Sequence, residues 1–260
     1  MAEALIYSLI VGIVVGISAG YLGSIMVLER MSLVGDALSH VALPGIALGL
    51  LYNFNPFFGA FTFLFVAAVV IWYVSRVTKL SFDTILGALF TLSLAVGILI
   101  VPQPDLLEAL FGDINNINLV DAITAAVVAT FAVVVTRSIY HKIILSMISE
   151  DLAISNQINV PRINLIYLLL VSLVVAIGIR IVGSLLVGFL VVVPAASAKN
   201  LSNNLRRYTV LSSAFGILSA FFGILITGFL NLPTLPPGPI IVIVGVGLFF
   251  GTIIAKRRMK

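Results

Sequence analysis

Long apolar runs separated by short polar or charged interruptions occupy the whole 260-residue chain. Nine runs can be marked off: Ala4 to Leu28, Leu33 to Leu51, Phe57 to Tyr73, Thr84 to Val101, Ala122 to Tyr140, Leu165 to Arg180, Gly183 to Ala198, Val210 to Leu230 and Ile240 to Ala255. A helix crossing a hydrocarbon layer needs about 20 such residues, so the pattern predicts an all-α, polytopic integral membrane protein of eight or nine transmembrane helices, eight if one run is re-entrant. Residues 1–260 then form a single transmembrane domain with no room for a separate soluble one. Within the first run Gly12, Gly16 and Gly20 recur every four residues, which leaves one helical face bare for close packing against a neighbour. Gly247 and Gly251 predict the same for the last run. Trp72-Tyr73 fall where an aromatic belt sits, and NLPTLPPGP reads as a stiff connection before the last run.

Composition agrees with the pattern: 61% of residues are hydrophobic and 9% charged, against about 25% charged in soluble domains. The net charge of +4 would invite nucleic acid in a soluble protein, but the basic residues cluster at alternate ends of the apolar runs, which is the positive-inside arrangement. With the N-terminus outside and nine crossings, every Lys and Arg except Arg180 falls on the cytoplasmic side. The partner implied is a lipid bilayer and the location a cell membrane, with no nucleic-acid role. Met1-Ala2-Glu3 lacks the positive start of a signal peptide, so the first run is read as a retained helix. The absence of Cys excludes disulfides and thiolate metal sites.

Asp36 and His40 stand four residues apart in the second run, the spacing that stacks two side chains on one helical face. Ionisable groups inside a span cost about 2.5–3.5 kcal/mol each on insertion scales, so they face a bundle interior, a cavity or a transport path. One carboxylate oxygen and one imidazole nitrogen suit zinc, manganese or iron(II), and two ligands are too few for a closed structural site. An open, weak site is what an ion path requires. From the residues alone three readings stand: metal contact, proton relay, and a structural pair that locks the bundle. Pro44 removes a backbone hydrogen bond one turn beyond His40, and Gly45 lets another backbone approach there.

Two interruptions between runs are unusual. PQPDLLEALFGDINNINLVD carries Asp105, Glu108, Asp113 and Asp121 without a basic residue. On the outer side, Glu108 and Asp113 read either as solvated loop charges or as groups that dock an external partner or gather cations before they enter. On the inner side, SMISEDLAISNQINVPR forms a short amphipathic pattern, with Ser149 a candidate cap, Glu150 and Asp151 as N-terminal charges, and Met147, Ile148, Leu152, Ala153 and Ile158 giving an apolar face. Asn159 and Pro161 are expected to end it. Such a helix lies on headgroups or docks into a partner. His141, among basic residues at the inner end of a run, reads as interfacial. No G-x-x-x-x-G-K-[ST] and no HExxH occur, so any ATP-driven step needs another polypeptide and a zincin-type protease is excluded.

Four stretches, in order, carry a resemblance: LERMSLVGDALSHVALPGIALG (Leu28 to Gly49), LFGDI (Leu110 to Ile114), VGSLLVGFLVVVPAASAKNL (Val182 to Leu201) and LPPGPIIVIV (Leu235 to Val244). Together they resemble the permease subunits of ABC transporters that take up zinc, manganese or iron, over nearly the whole chain. The resemblance implies a type II ABC importer-like permease that pairs with a second copy of itself, two cytoplasmic ATPase subunits and an extracytoplasmic metal-binding protein. No permanently bound cofactor is implied, the divalent ion being cargo. It implies metal contact at Asp36 and His40. It places an ATPase-coupling helix over Glu150 to Val160, with Glu150, Asp151, Leu152, Ile154, Asn156 and Val160 as contact residues, although SEDLAISNQINVP lacks the Pro-Glu and small Ala-Leu-Gly run of that family's helix. The function expected is a permease subunit, not itself an enzyme, of an ATP-driven importer of divalent metal cations. The alternatives are a proton-coupled secondary transporter with Asp36 and His40 as relay, against which no inverted repeat is evident, and an intramembrane enzyme, for which Ser39 points the wrong way to complete a triad.

Overall fold

A computed structural model of the chain describes residues 2–78, 80–100, 117–184, 187–230 and 237–258. These residues form ten α-helices: α1 (Ala2–Leu28), α2 (Leu33–Leu51), α3 (Pro56–Val77), α4 (Phe82–Ile100), α5 (Leu119–Ile148), α6 (Glu150–Ser155), α7 (Val160–Val182), α8 (Val187–Leu201), α9 (Leu205–Leu230) and α10 (Pro237–Arg258). Eight are long and apolar enough to cross a membrane, while α6 and α8 are not. In an apolar solvent every backbone N–H and C=O must be satisfied within the segment, so apolar runs of this length have no alternative to helix except a closed barrel.

Side chains at the helix ends decide where each helix begins, and two boundaries differ from expectation for that reason. The fifth run extends two turns past Tyr140 to Ile148, because Arg137, His141 and Lys142 lie on an exposed face while Ile143 stays buried on the other. At its start Asn118 and Asp121 form a reciprocal capping box. Asn159 and Pro161 do not close the preceding short helix. The Asn159 side chain accepts from the Arg162 N–H and Pro161 sits in the first turn, so together they open α7 five residues before Leu165. The turn they leave behind passes through Gln157, which holds φ 59°.

The seventh run also departs from expectation. Gly183, at φ 81°, ends α7, and α8 starts only at Val187, giving 15 residues. At about 1.5 Å per residue such a helix spans roughly 22 Å, short of the hydrocarbon layer. Its neighbours fix its depth. Val187 packs where Gly178 also faces Val15, Val191 lies against the backbone of Gly23, and Ala195 and Ala198 join Val27, Leu28 and Tyr208 in one cluster. The helix therefore begins beside the middle of α1 and runs to the end where α1 finishes, with Gly183 and Ser184 buried.

The stripe on α1 behaves as read. A Cβ on Gly16 would lie 2.6 Å from the Gly216 carbonyl oxygen, and the Ser212 hydroxyl donates to the Gly20 carbonyl. The backbones of α1 and α9 thus touch. Gly247 and Gly251 do not repeat this, since neither has a neighbour within 4 Å and that face of α10 points away from the bundle. Trp72 has a tertiary partner as well: its Nε1 donates to the Pro161 carbonyl at 2.7 Å, tying α3 to α7. Tyr73 remains exposed.

Candidate functional site

Helix α2 is enclosed by α3, α4, α7 and α8, and all of its residues from Val34 to Ala47 except Asp36 are buried. Backbone contact between Gly45 and Gly59 seats it against α3, as the glycine predicts. The single break in this enclosure is at Asp36, whose side chain is 52% exposed, while His40 one turn on is 7% exposed. The helical period puts the two on one face, with Nε2 of His40 4.0 Å from Oδ1 of Asp36. That separation is too long for a hydrogen bond. It leaves two donors side by side without a bond between them.

The surroundings hold this pair in place. The His40 ring meets Phe90 of α4 edge-on at 4.8 Å between centroids and 87°. Its Nδ1 is buried and has no hydrogen-bond partner among the described residues, an arrangement that costs stability. Asp36 rests on the first turn of α8: a Cβ on Gly188 would lie 2.6 Å from its Cα and 2.8 Å from its N. Only glycine permits that approach. The Ser39 hydroxyl donates to the Asp36 carbonyl at 2.6 Å, a bond within the helix itself.

Among the described residues no group of three or more His, Asp or Glu side chains converges. Asp36 and His40 therefore offer a hard oxygen and an imidazole nitrogen with the remaining positions open, a donor set that fits a borderline or hard divalent cation in passage.

At the end of the bundle that carries α6, Ser149 caps this helix by accepting from the Leu152 N–H at 3.3 Å, as read from the sequence. Glu150 and Asp151 sit in its first turn, favourable to the helix dipole. Leu152 and Ile154 are 52% and 60% exposed, Ala153 is buried, and Asn156 is the C-cap. Val160 is not on this helix but opens α7, where it is buried. His141 is exposed beside Tyr140. Glu108 and Asp113 lie outside the described residues.

Sequence reasoning passed over one feature of this end. Glu29, in the turn between α1 and α2, lines a cavity of about 350 Å³ together with Trp72, Arg76, Phe82, Glu150 and Asn164. Burial pushes its carboxyl up to about 7. A lone Glu beside an Arg at the end of a run reads as a solvated pair, and nothing local signals the cavity.

Comparison with known proteins bears on the whole chain. The profile of the ABC 3 transport family matches residues 1–256. A manganese transport system membrane protein, MntC, of Listeria monocytogenes is 32% identical, with 96% of this chain and 93% of that protein covered. A high-affinity zinc uptake system membrane protein, ZnuB, of Buchnera aphidicola is 29% identical over 91% of this chain and 92% of its own. Among solved structures, PsaBC from Streptococcus pneumoniae in complex with Fab matches with a TM-score of 0.84 and 30% identity, covering 96% of this chain and 91% of that one.

Proposed function

The chain belongs to the ABC 3 transport family as a multi-pass membrane permease, and from that premise we propose that it conducts a divalent metal cation, zinc or manganese with iron(II) also suited, into the cell. Asp36 and His40 are its transient ligands, and the observation that carries the reading is their placement. They are two unbonded metal donors one turn apart on an enclosed helix, one exposed and one buried behind it. Water or a second copy of the chain supplies the other coordination positions. The ion passes from Asp36 to His40 or the reverse without meeting a complete ligand shell, so release stays fast.

ATP is hydrolysed on separate ATPase subunits, which contact the exposed residues of α6. An extracytoplasmic binding protein delivers the ion to the opposite end, where Glu108 and Asp113 act in docking or capture. The relatives are named for manganese and zinc transport, which supports this cargo class. Family membership does not favour the proton-coupled carrier.

The test is metal uptake into vesicles containing the permease with its ATPase. Asp36→Ala and His40→Ala abolish zinc or manganese uptake while the ATPase still copurifies. Accumulation at the wild-type rate by both variants removes the ligand assignment. Uptake that stops when a proton gradient is collapsed, and persists without ATP, replaces this reading with the proton-coupled one.

A further inference from the structure

The cavity beside Glu29 is explained neither by the metal donors nor by α6 alone. It collects Glu29 from the α1–α2 turn, Trp72 and Arg76 from the end of α3, Phe82 from the start of α4, Glu150 from the start of α6 and Asn164 from α7. The Glu29 carboxylate makes no ion pair and no hydrogen bond with any described residue. Arg76, the basic side chain on the lining, holds its guanidinium 5.3 Å from the centroid of the Trp72 indole and pairs with neither carboxylate. Trp72 has its Nε1 committed to Pro161, so the indole offers the cavity only ring surface.

Two carboxylates against one guanidinium, between an indole and a phenyl ring, describe the surroundings that a long cationic side chain takes. The stem lies on the aromatic walls and the head meets the carboxylate. The space is larger than a bare ion needs, and no third metal-binding side chain joins the two acids among the described residues. Glu150 also belongs to α6, whose Leu152 and Ile154 stand exposed, so the cavity shares one of its walls with that helix.

We propose that this cavity is the receptacle for a lysine or arginine side chain of the companion ATPase, with Glu29 as counter-ion. This rests on the reading that α6 meets an ATPase. It adds a second point of attachment with a mechanical consequence. Glu29 lies seven residues before Asp36, in the turn that leads into α2, so a partner gripping Glu29 pulls directly on the metal-bearing helix. A contact through α6 alone reaches α2 only indirectly, through the helices α5 and α7 on which α6 packs.

The experiment measures affinity of the ATPase for the full-length permease in lipid nanodiscs across a salt series. Glu29→Gln, which preserves shape, weakens binding about ten- to a hundredfold and flattens its salt dependence. Glu29→Lys abolishes binding, and reversing one basic ATPase residue to Glu restores it. Ser75 lines the cavity from α3. Ser75→Phe, which fills that space and keeps both carboxyls, weakens binding as Glu29→Gln does, and it decides the matter if a Glu29 variant fails to fold. Wild-type affinity and salt response in the Glu29 variants, or in Ser75→Phe, overturn the proposal, as does failure of every ATPase charge reversal to restore Glu29→Lys. Leu152→Ala separates the two readings. If it weakens binding while the Glu29 variants do not, α6 coupling stands and the receptacle falls; if the wild-type permease binds no ATPase, the ATP-driven reading itself fails.

Discussion

Substituting Gly188 by alanine tests how closely the first turn of α8 seats the carboxylate of Asp36. The added Cβ lies 2.6 Å from Asp36 Cα and 2.8 Å from Asp36 N, and both obstacles are backbone, so no rotamer change relieves them. Opening 2.6 Å to an ordinary carbon contact of about 3.5 Å requires α2 and α8 to part by about 0.9 Å. Overpacking of this kind costs about 1–3 kcal/mol, and for a chain of this size the melting temperature falls by roughly 2–4 °C per kcal/mol. Metal–ligand distances hold to about 0.2 Å, so a shift several times larger spoils a site built on Asp36. The assay is zinc or manganese uptake in vesicles beside thermal unfolding in detergent, with Gly87→Ala as control because its Cβ meets nothing within 4 Å. Gly188→Ala loses on the order of tenfold or more in uptake, while Gly87→Ala is neutral or slightly stabilised, by up to about 1 kcal/mol. Wild-type melting and uptake in Gly188→Ala refute the reasoning, because the backbone contact would then be neither tight nor functional.

Other consequences are open to measurement. Trp72→Phe removes the 2.7 Å bond to the Pro161 carbonyl and costs about 1–2 kcal/mol, read as a lower melting temperature; an unchanged value means that bond holds nothing. Glu29 has a carboxyl pKa raised to about 7 by burial, so the folded state holds its proton more tightly than the unfolded chain. Its contribution to stability is therefore complete below the ordinary carboxyl range and disappears as pH rises through about 7. The permease unfolds more easily at pH 8 than at pH 5 by up to about 3 kcal/mol, and Glu29→Gln removes that slope; parallel pH curves for the two proteins contradict it. Metal affinity falls as pH drops, because both Asp36 and His40 must be deprotonated to coordinate, and a titration of manganese binding from pH 8 to pH 5 that stays flat excludes these ligands.

Much of this protein is legible in the residues alone, and what is legible is local. Nine apolar runs announce a helical membrane protein because hydropathy and backbone satisfaction act over one span at a time. The pairing of Asp36 with His40 follows from the helical period, the cap at Ser149 from its own hydroxyl, and the α1 crossing from glycines spaced by four. Other features needed the assembled bundle. Residues 183 to 198 read as one more span, yet Gly183 turns the chain within the bundle and α8 starts beside Asp36. Gly247 and Gly251 have the same spacing as the α1 stripe but face no other helix. The Trp72 to Pro161 bond joins residues 89 positions apart, and the Glu29 cavity draws on five separate stretches of chain. The reason is physical. Lipid tails and a neighbouring helix are almost equally apolar, so hydropathy marks a residue as inside the membrane without saying which of the two it meets, and only packing decides that.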